Sequence, residues 1–216
     1  MSMNKVDFKK IEKNLYNPPA RPVIAEVPEM SFLMIDGSGD PNDEKGEYQK
    51  AVEMLYTLSY TIKMSKKGSH PIDHYFDYVV PPLEGLWWTE NPHDLSDKKH
   101  FLWTAMIRQP SFVNEEAVKW AKEEASRKKP SLDFTKVYLS VYKEGRTVQM
   151  MHIGSYDTEQ ETFQQMEEYM VEHQLQRPLT CERKHHEIYL SDPRRTRTDR
   201  LKTIIRLPVE PMEGKA

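Results

Sequence analysis

Apolar residues recur at helical spacing in two segments of the chain, and charge marks a third. In the first segment the apolar positions lie three and four residues apart: Tyr48, Ala51, Val52, Leu55, Leu58 and Ile62. Residues 115–129 carry early acids and late lysines that suit a helix dipole, with Asn114 as N-cap. The stretch Thr158-Glu159-Gln160-Glu161 matches a capping box and precedes an apolar stripe of Phe163, Met166 and Met170. The pattern therefore predicts three helices.

Strand-like runs separate these helices. They cover residues 32–35, 75–80, 101–107, 137–142, 147–153, 186–190 and 202–206. Lys143-Glu144-Gly145-Arg146 lies between two of the runs and predicts a hairpin turn.

Two short matches indicate an internal duplication. Phe32–Asp40 and Met150–Asp157 each run from an apolar strand into Gly-Ser-x-Asp before a helix. Ile107-Arg108-Gln109-Pro110 matches Ile205-Arg206-Leu207-Pro208 in the same order along the chain. We expect an α+β fold in which two β-α-β-β units form a pseudo-two-fold antiparallel sheet. The helices then cover one face, and a ligand cleft lies at the centre.

The duplication also predicts the domain organisation. Residues 1–216 form one domain of two repeats, approximately 22–110 and 111–209. Residues 1–21 and 210–216 are flanking termini.

One predicted strand carries a carboxylate at mid-length, in the sequence His185-His186-Glu187-Ile188-Tyr189-Leu190. Because side chains alternate along a strand, Ile188 and Leu190 share one face, which we expect to pack against helices. Glu187 and Tyr189 share the other face. A glutamate in mid-strand is unusual, and it indicates either a solvated face or a functional carboxylate.

Aromatic residues in or beside strands are candidate partners for that carboxylate. The chain has four Trp, 11 Tyr and seven Phe, and aromatic rings can stack on a flat or cationic ligand. Several of them lie near strands: Trp87, Trp88, Trp103, Tyr138, Tyr142, Tyr156 and Tyr189. The candidate ligand contacts are Trp88, Trp103, Tyr138, Tyr142 and Tyr189. Core packing is the alternative for each of them.

Composition excludes several classes of protein. The 31 Lys and Arg balance 34 Asp and Glu, and this net charge of -3 does not favour a nucleic-acid partner. The apolar runs are too short to cross a bilayer, and the N-terminus lacks an apolar signal region. A single cysteine, Cys181, cannot form an intrachain disulfide, which favours a reducing, cytoplasmic location.

Other chemistry is weakly represented. His185 and His186 point to opposite strand faces, so a metal site is not expected. No dinucleotide, Walker or Gly-x-Ser-x-Gly motif predicts a cofactor or a nucleophile elbow. The arginines after Asp192 are read as a solvated rim. We expect a monomer or weak dimer.

Several segments resemble the GyrI-like small-molecule-binding family. They are His152–Asp157, His185–Arg195 and Leu201–Arg206, while Trp103–Pro110 resembles the first-half signature of the stand-alone members. The resemblance runs from about residue 32 to residue 209. It implies a duplicated β-α-β-β fold with a cleft at the pseudo-two-fold axis. A glutamate at the base of an aromatic pocket meets cationic lipophilic drugs in the family's sensors, and Glu187 matches it.

The resemblance to the stand-alone subfamily, which lacks a DNA-binding domain, also implies an activity. Some of its members hydrolyse cyclopropane-bearing DNA alkylators of the duocarmycin and yatakemycin type with an aromatic cage. Glu187 would then be catalytic. Two alternatives stay open at this point: a binder that sequesters or senses planar drugs without turnover, and a module that binds a protein such as gyrase.

Overall fold

The computed structural model describes residues 5–68, 70–90, 98–178 and 183–212. Cys181 lies outside the described residues. The chain divides into two units. The first comprises the residues before Glu12 together with Met30–Tyr142, and the second comprises Glu12–Glu29 and the residues from Lys143 onward.

Helices and strands alternate along most of the chain. The helices are α1 (Phe8–Ile11), α2 (Lys13–Tyr16), α3 (Glu47–Met64), α4 (Glu115–Lys128) and α5 (Glu159–Glu172). The strands are β1 (Val23–Ser38), β2 (Leu83–Trp88), β3 (Leu102–Arg108), β4 (Tyr138–Ile153), β5 (Leu175–Gln176), β6 (His185–Tyr189), β7 (Lys202–Pro208) and β8 (Glu210–Pro211). The three predicted helices are confirmed as α3, α4 and α5.

The first unit is a three-stranded antiparallel sheet; α3 packs on the sheet, and α4 packs on α3. The strand order is β1-β3-β2, with Gly37 opposite Trp103 and Trp87 opposite the same Trp103. Helix α3 buries the apolar stripe that its sequence period predicted, including Leu55, Leu58 and Ile62. The Asn114 side chain accepts a hydrogen bond from the Ala117 N–H, so the predicted N-cap of α4 is also confirmed.

The second unit repeats this topology. Its strand order is β4-β7-β6, and α5 packs on one face of the sheet. The buried cluster on that face joins α5 to β4 and β7 through Val148, Met150, Met166, Met170, Ile205 and Leu207. The chain orders β1-α3-β2-β3 and β4-α5-β6-β7 are the same, and this confirms the expected α+β fold built from duplicated β-α-β-β units.

The predicted hairpin around residues 143–146 is wrong, because β4 runs without interruption from Tyr138 to Ile153. Gly145 keeps a left-handed φ of +74° inside the strand. Pairing continues beside it, since the Val209 N–H donates to the Arg146 carbonyl. The Glu144 side chain is buried by tertiary contacts, which override the local turn preference.

The predicted strand over residues 75–80 is also wrong. Tyr78 forms only an isolated bridge with Val6, and the strand of this region is β2. The segment instead packs on the end of α3 through its side chains. The Tyr75 hydroxyl donates to the Lys63 carbonyl at 2.8 Å, and Lys63 Nζ donates to the Tyr78 carbonyl.

The capping box at the start of α5 does not form. Thr158 stands at the N-cap position, but its side chain caps no helix N–H. Its hydroxyl donates instead to the Ser155 carbonyl at 2.8 Å. The Thr158 hydroxyl, which the sequence pattern predicted to cap α5, therefore forms its hydrogen bond within the preceding loop.

Candidate functional site

Side-chain burial alternates along strand β6 as predicted, but the face that meets the helix is the one that carries Glu187, not the one that carries Ile188. His186 and Ile188 are buried, whereas His185, Glu187 and Tyr189 are half-buried. Cross-strand partners share a face, and Glu187 lies opposite Ile205, which packs on α5. The expectation that Ile188 faces the helix is therefore wrong.

The reason is that a second element covers the opposite face. Arg206 and Gln149 lie on the Ile188 side of the sheet, and they donate to the carbonyls of Leu15 and Asn14 around α2. Both faces of β6 are thus packed, so an apolar residue does not reveal which face meets α5.

Glu187 has two close neighbours on its own strand. The Tyr189 hydroxyl donates to Oε2 of Glu187 at 2.8 Å. Nε2 of His185 lies 3.5 Å from Oε1, and the Glu187 side chain keeps 12% of its surface exposed. Burial, with smaller effects from Arg177 and His186, lowers the pKa of His185 to about 3. His185 is therefore neutral near pH 7, and its contact with Glu187 is not an ion pair.

Two further rings border this carboxylate. The Tyr156 ring meets the Tyr189 ring edge to face, with centroids 6.0 Å apart. Phe163 on α5 meets His185 in the same way at 5.0 Å. Burial first, and then the charge of Glu187, raise the pKa of Tyr156 to about 12. Its phenol is therefore a proton-bearing donor at neutral pH.

We call Glu187, Tyr189, His185, Tyr156 and Phe163 the carboxylate site. It combines an accessible carboxylate with phenol donors and aromatic surface. Such a group of side chains suits the binding of a cation, or the deprotonation of a water molecule beside a flat ligand.

The other predicted contacts lie in the first unit. Trp103 is only 1% exposed, and its ring packs edge to face on Tyr48 of α3 at 5.1 Å. Its indole Nε1 is buried and has no hydrogen-bond partner among the described residues. Trp88 is half-buried and belongs to the opposite face of the sheet, because it lies opposite Leu102.

Tyr138 and Tyr142 complete the predicted set. Tyr138 is 38% exposed, and its hydroxyl donates to Oδ2 of Asp36 at 2.9 Å. Asp36 also accepts from the Thr104 hydroxyl and lies on the same face as Trp88. Tyr142 is half-buried. The structure thus brings Glu187 and Tyr189 together, while Trp103 and Trp88 lie on opposite faces of their sheet.

A buried ionic network in the second unit was not predicted from the sequence. Glu144 Oε2 accepts from Nη1 of Arg206 at 3.1 Å and lies 3.0 Å from Nδ1 of His186. Burial alone would raise the pKa of Glu144, but His186 and Arg206 outweigh burial and lower it to about 2. Since Arg206 also donates to Gln149 and to the Leu15 carbonyl, the network connects the sheet with α2.

Within the described ranges, no group of three or more His, Cys, Asp or Glu side chains is placed to hold a metal ion. None of the helices in this part of the chain combines the length and apolar character that crossing a bilayer requires.

Comparison with known proteins identifies the family. A model described as the GyrI-like small molecule binding domain matches residues 21–210. The chain belongs to the GyrI-like family. No curated protein matches it significantly.

Solved structures support this assignment. A hydrolase from Listeria innocua has 49% sequence identity and a TM-score of 0.87, covering 95% of this chain and 100% of that one. An uncharacterized conserved protein from the same organism has 52% identity and a TM-score of 0.91, with the same coverage. The C-terminal domain of EcmrR shares the fold at 12% identity and a TM-score of 0.53, covering 89% of this chain and 98% of that chain.

One part of this site was not predicted from the sequence. Tyr156 was named among the aromatic residues near strands but not among the candidate ligand contacts, and His152 belonged only to a repeat marker and to a segment that resembles the family. The signal was present in the string His152–Asp157, where a histidine and a tyrosine flank Gly-Ser. Its meaning depends on the contact between Tyr156 and Tyr189, which are far apart in sequence.

Proposed function

We propose that this GyrI-like protein binds planar, lipophilic or cationic xenobiotics and hydrolyses cyclopropane-bearing DNA alkylators of the duocarmycin and yatakemycin type. Glu187 is the catalytic base, and Tyr189 is a ligand contact. The observation that carries the proposal is the half-buried Glu187 carboxylate, oriented by the Tyr189 hydroxyl within an aromatic surrounding. The hydrolase from Listeria innocua at 49% identity supports an enzymatic role.

The proposed reaction adds one water molecule to the ligand. Glu187 accepts a proton from water, and the water oxygen forms a bond to the less substituted cyclopropane carbon. The strained carbon–carbon bond breaks, and its electron pair passes through the conjugated ring system to the carbonyl oxygen, which becomes a phenolate. That phenolate takes up a proton, so the product is the ring-opened alcohol and phenol. General-base catalysis of this kind contributes roughly 10²–10⁴-fold in rate.

The test is turnover of a duocarmycin-type alkylator, followed by mass spectrometry. We expect many equivalents of ligand per protein to gain one water, and we expect Glu187→Gln to abolish this gain while the fold is kept. Glu26→Gln is a matched control, because Glu26 is also a strand glutamate and its side chain is 73% exposed. Undiminished turnover by Glu187→Gln would refute the role of Glu187 as base.

A non-catalytic binder is the second candidate, and one contact favours it. The Tyr189 hydroxyl already donates to Oε2 of Glu187, and it competes there with an attacking water. An anionic subsite for a cationic ligand would have the same geometry. Tight binding with the alkylator recovered unchanged would establish this function in place of hydrolysis.

The remaining predicted contacts are part of the proposal and need separate tests. Single substitutions Trp88→Ala, Tyr138→Ala and Tyr142→Ala should each weaken ligand binding, measured by titration calorimetry. For Trp103, whose ring is enclosed, Trp103→Phe preserves packing better than alanine. We also propose a cytoplasmic location, which fractionation of the native cells would test.

A further inference from the structure

The loop between β4 and α5 is held by one buried histidine. His152 lies near the end of β4 on the face that packs on α5, and it is 4% exposed. Its Nε2 is 2.9 Å from the Ser155 carbonyl oxygen, and its Nδ1 is 2.8 Å from the Thr162 hydroxyl on α5. A single imidazole therefore joins the strand, the loop and the helix.

Hydrogen-bond chemistry sets the direction of these contacts. A carbonyl oxygen can only accept, so the proton of a neutral His152 must be on Nε2. Nδ1 is then an acceptor, and the Thr162 hydroxyl donates to it. Both ring nitrogens are satisfied, which fixes the orientation of the ring as well as its tautomer.

The loop is packed closely around this imidazole. Gly154 has a φ of +143°, a backbone conformation that residues other than glycine rarely adopt. A Cβ atom at Gly154 would lie 2.9 Å from the Thr158 hydroxyl and 3.6 Å from Nε2 of His152. The Thr158 hydroxyl donates to the same Ser155 carbonyl. The residue after Ser155 is Tyr156, so the position of its backbone follows from these contacts.

We infer that His152 is a positioning residue of the carboxylate site, holding Tyr156 against Tyr189 and beside Glu187 through the Ser155 carbonyl. The effect of His152 on catalysis rests on the proposed function, in which the Tyr156 phenol faces the bound ligand. The donor that Tyr156 supplies is suited to a ligand carbonyl oxygen on which negative charge develops. We therefore expect the bound ligand to carry a carbonyl oxygen that can accept from the Tyr156 hydroxyl.

The internal repeat provides an independent argument. Gly37-Ser38 of the first unit aligns with Gly154-Ser155 of the second. At the positions that correspond to His152 and Tyr156, the first unit has Ile35 and Gly39. The histidine and the tyrosine thus occur together in the unit that carries Glu187, and both are replaced in the unit that does not.

The experiment places 3-fluorotyrosine at position 156 and follows its ¹⁹F resonance with pH. Fluorination lowers the phenol pKa, so position 156 titrates at a lower pH than an ordinary tyrosine would. In His152→Leu the loop is released, and we expect the pKa of the fluorinated Tyr156 to fall toward that of the free amino acid. His152→Gln retains an N–H that reaches the Ser155 carbonyl, and it should restore the native pKa in part.

Enzyme kinetics provide the second measurement. A displacement of a catalytic group by about 1 Å can lower the rate roughly 100-fold. In His152→Leu, kcat for the alkylator should therefore fall by up to that factor, while KM changes much less. If His152→Leu fails to fold, Thr162→Val removes only the hydroxyl that orients the ring. Its matched control is Thr61→Val, since Thr61 makes an ordinary helix contact with the Thr57 carbonyl.

The two proposals fail in different ways. An unchanged ¹⁹F shift and pKa at position 156 in folded His152→Leu, or in Thr162→Val where His152→Leu does not fold, would overturn the positioning role, whatever the kinetics show. Undiminished turnover in Glu187→Gln would overturn the proposed base, and the ¹⁹F result would still decide whether His152 places Tyr156.

Discussion

The two units have the same β-α-β-β order but use the equivalent arginines of their last strand differently. Arg108 of the first unit is half-buried and lies over the Phe8 ring, 4.2 Å from its centroid. Arg206 of the second unit is fully buried, and it donates to Glu144, Gln149 and the Leu15 carbonyl. Duplication thus preserved the residue and its place in the fold, while its chemical surroundings diverged.

The faces that meet the helices differ in the same way. In the first unit the space under α3 is filled by Trp103 and Trp87, both in contact with Tyr48. In the second unit the corresponding face carries Glu187, Tyr189 and His152. Aromatic packing fills one helix–sheet interface, whereas hydrogen-bonding groups occupy part of the other. The second arrangement leaves the Glu187 carboxylate partly exposed on the helix-facing side of its sheet, as the proposed ligand-binding role needs.

The largest effect should come from removing the buried arginine. Arg206→Met leaves Glu144 buried without its arginine partner, and breaking such a pair costs about 3–5 kcal/mol of unfolding free energy. Arg108→Met removes a cation–π contact worth about 1 kcal/mol. Urea unfolding of the two variants measures the difference. Equal losses would show that the two arginines are energetically equivalent despite their different surroundings.

Acid should destabilise the protein through the same network. The pKa of Glu144 is lowered from 4.5 to about 2, so its contribution is fully present above pH 4.5 and is lost as the pH falls toward 2. Over this range the unfolding free energy of the wild type should fall as the pH is lowered, because the unfolded state binds about one more proton than the folded state. Glu144→Gln should lack this part of the slope. Glu26→Gln, at an exposed position, serves as control. A slope unchanged in Glu144→Gln would contradict this assignment.

A methyl group at Gly37 should disturb the packing of the first unit. Its Cβ would lie 2.2 Å from the Trp103 ring, so the indole must move. Overpacking of this kind costs about 1–3 kcal/mol. Gly68→Ala is the control, because its Cβ meets nothing closer than 3.5 Å. Thermal unfolding and tryptophan fluorescence report the change, and a Gly37→Ala variant as stable as wild type would mean that Trp103 does not lie over Gly37.

The smallest loss of stability should come from substitutions at the N-cap positions of α4 and α5. Asn114→Ala should cost about 1 kcal/mol, because Asn114 caps the Ala117 N–H. Thr158→Ala should cost less in helix stability, because Thr158 caps no helix N–H. Urea unfolding checks the order, and the reverse order would restore the capping box that the sequence predicts.

Local sequence patterns predicted the structure correctly where contacts between residues close in sequence dominate. The period of α3 and the cap of α4 depend on neighbours within a few residues, and both are confirmed. The turn predicted at Lys143-Glu144-Gly145-Arg146 failed because Glu144 binds Arg206, 62 residues away. Residues 75–80 resembled a strand, yet their aromatic side chains pack on α3 and Phe112 instead.

The sequence by itself determined the duplicated β-α-β-β order, the sharing of one strand face by Glu187 and Tyr189, and the membership of the GyrI-like family. These follow from periodicity and from residue identity, which are properties of single segments. Only the tertiary structure decided which face of β6 meets α5 and which side chains surround Glu187. It also decided that His152 holds the loop of Tyr156. Such contacts join residues distant in sequence, and their energies depend on burial and geometry that no short segment specifies.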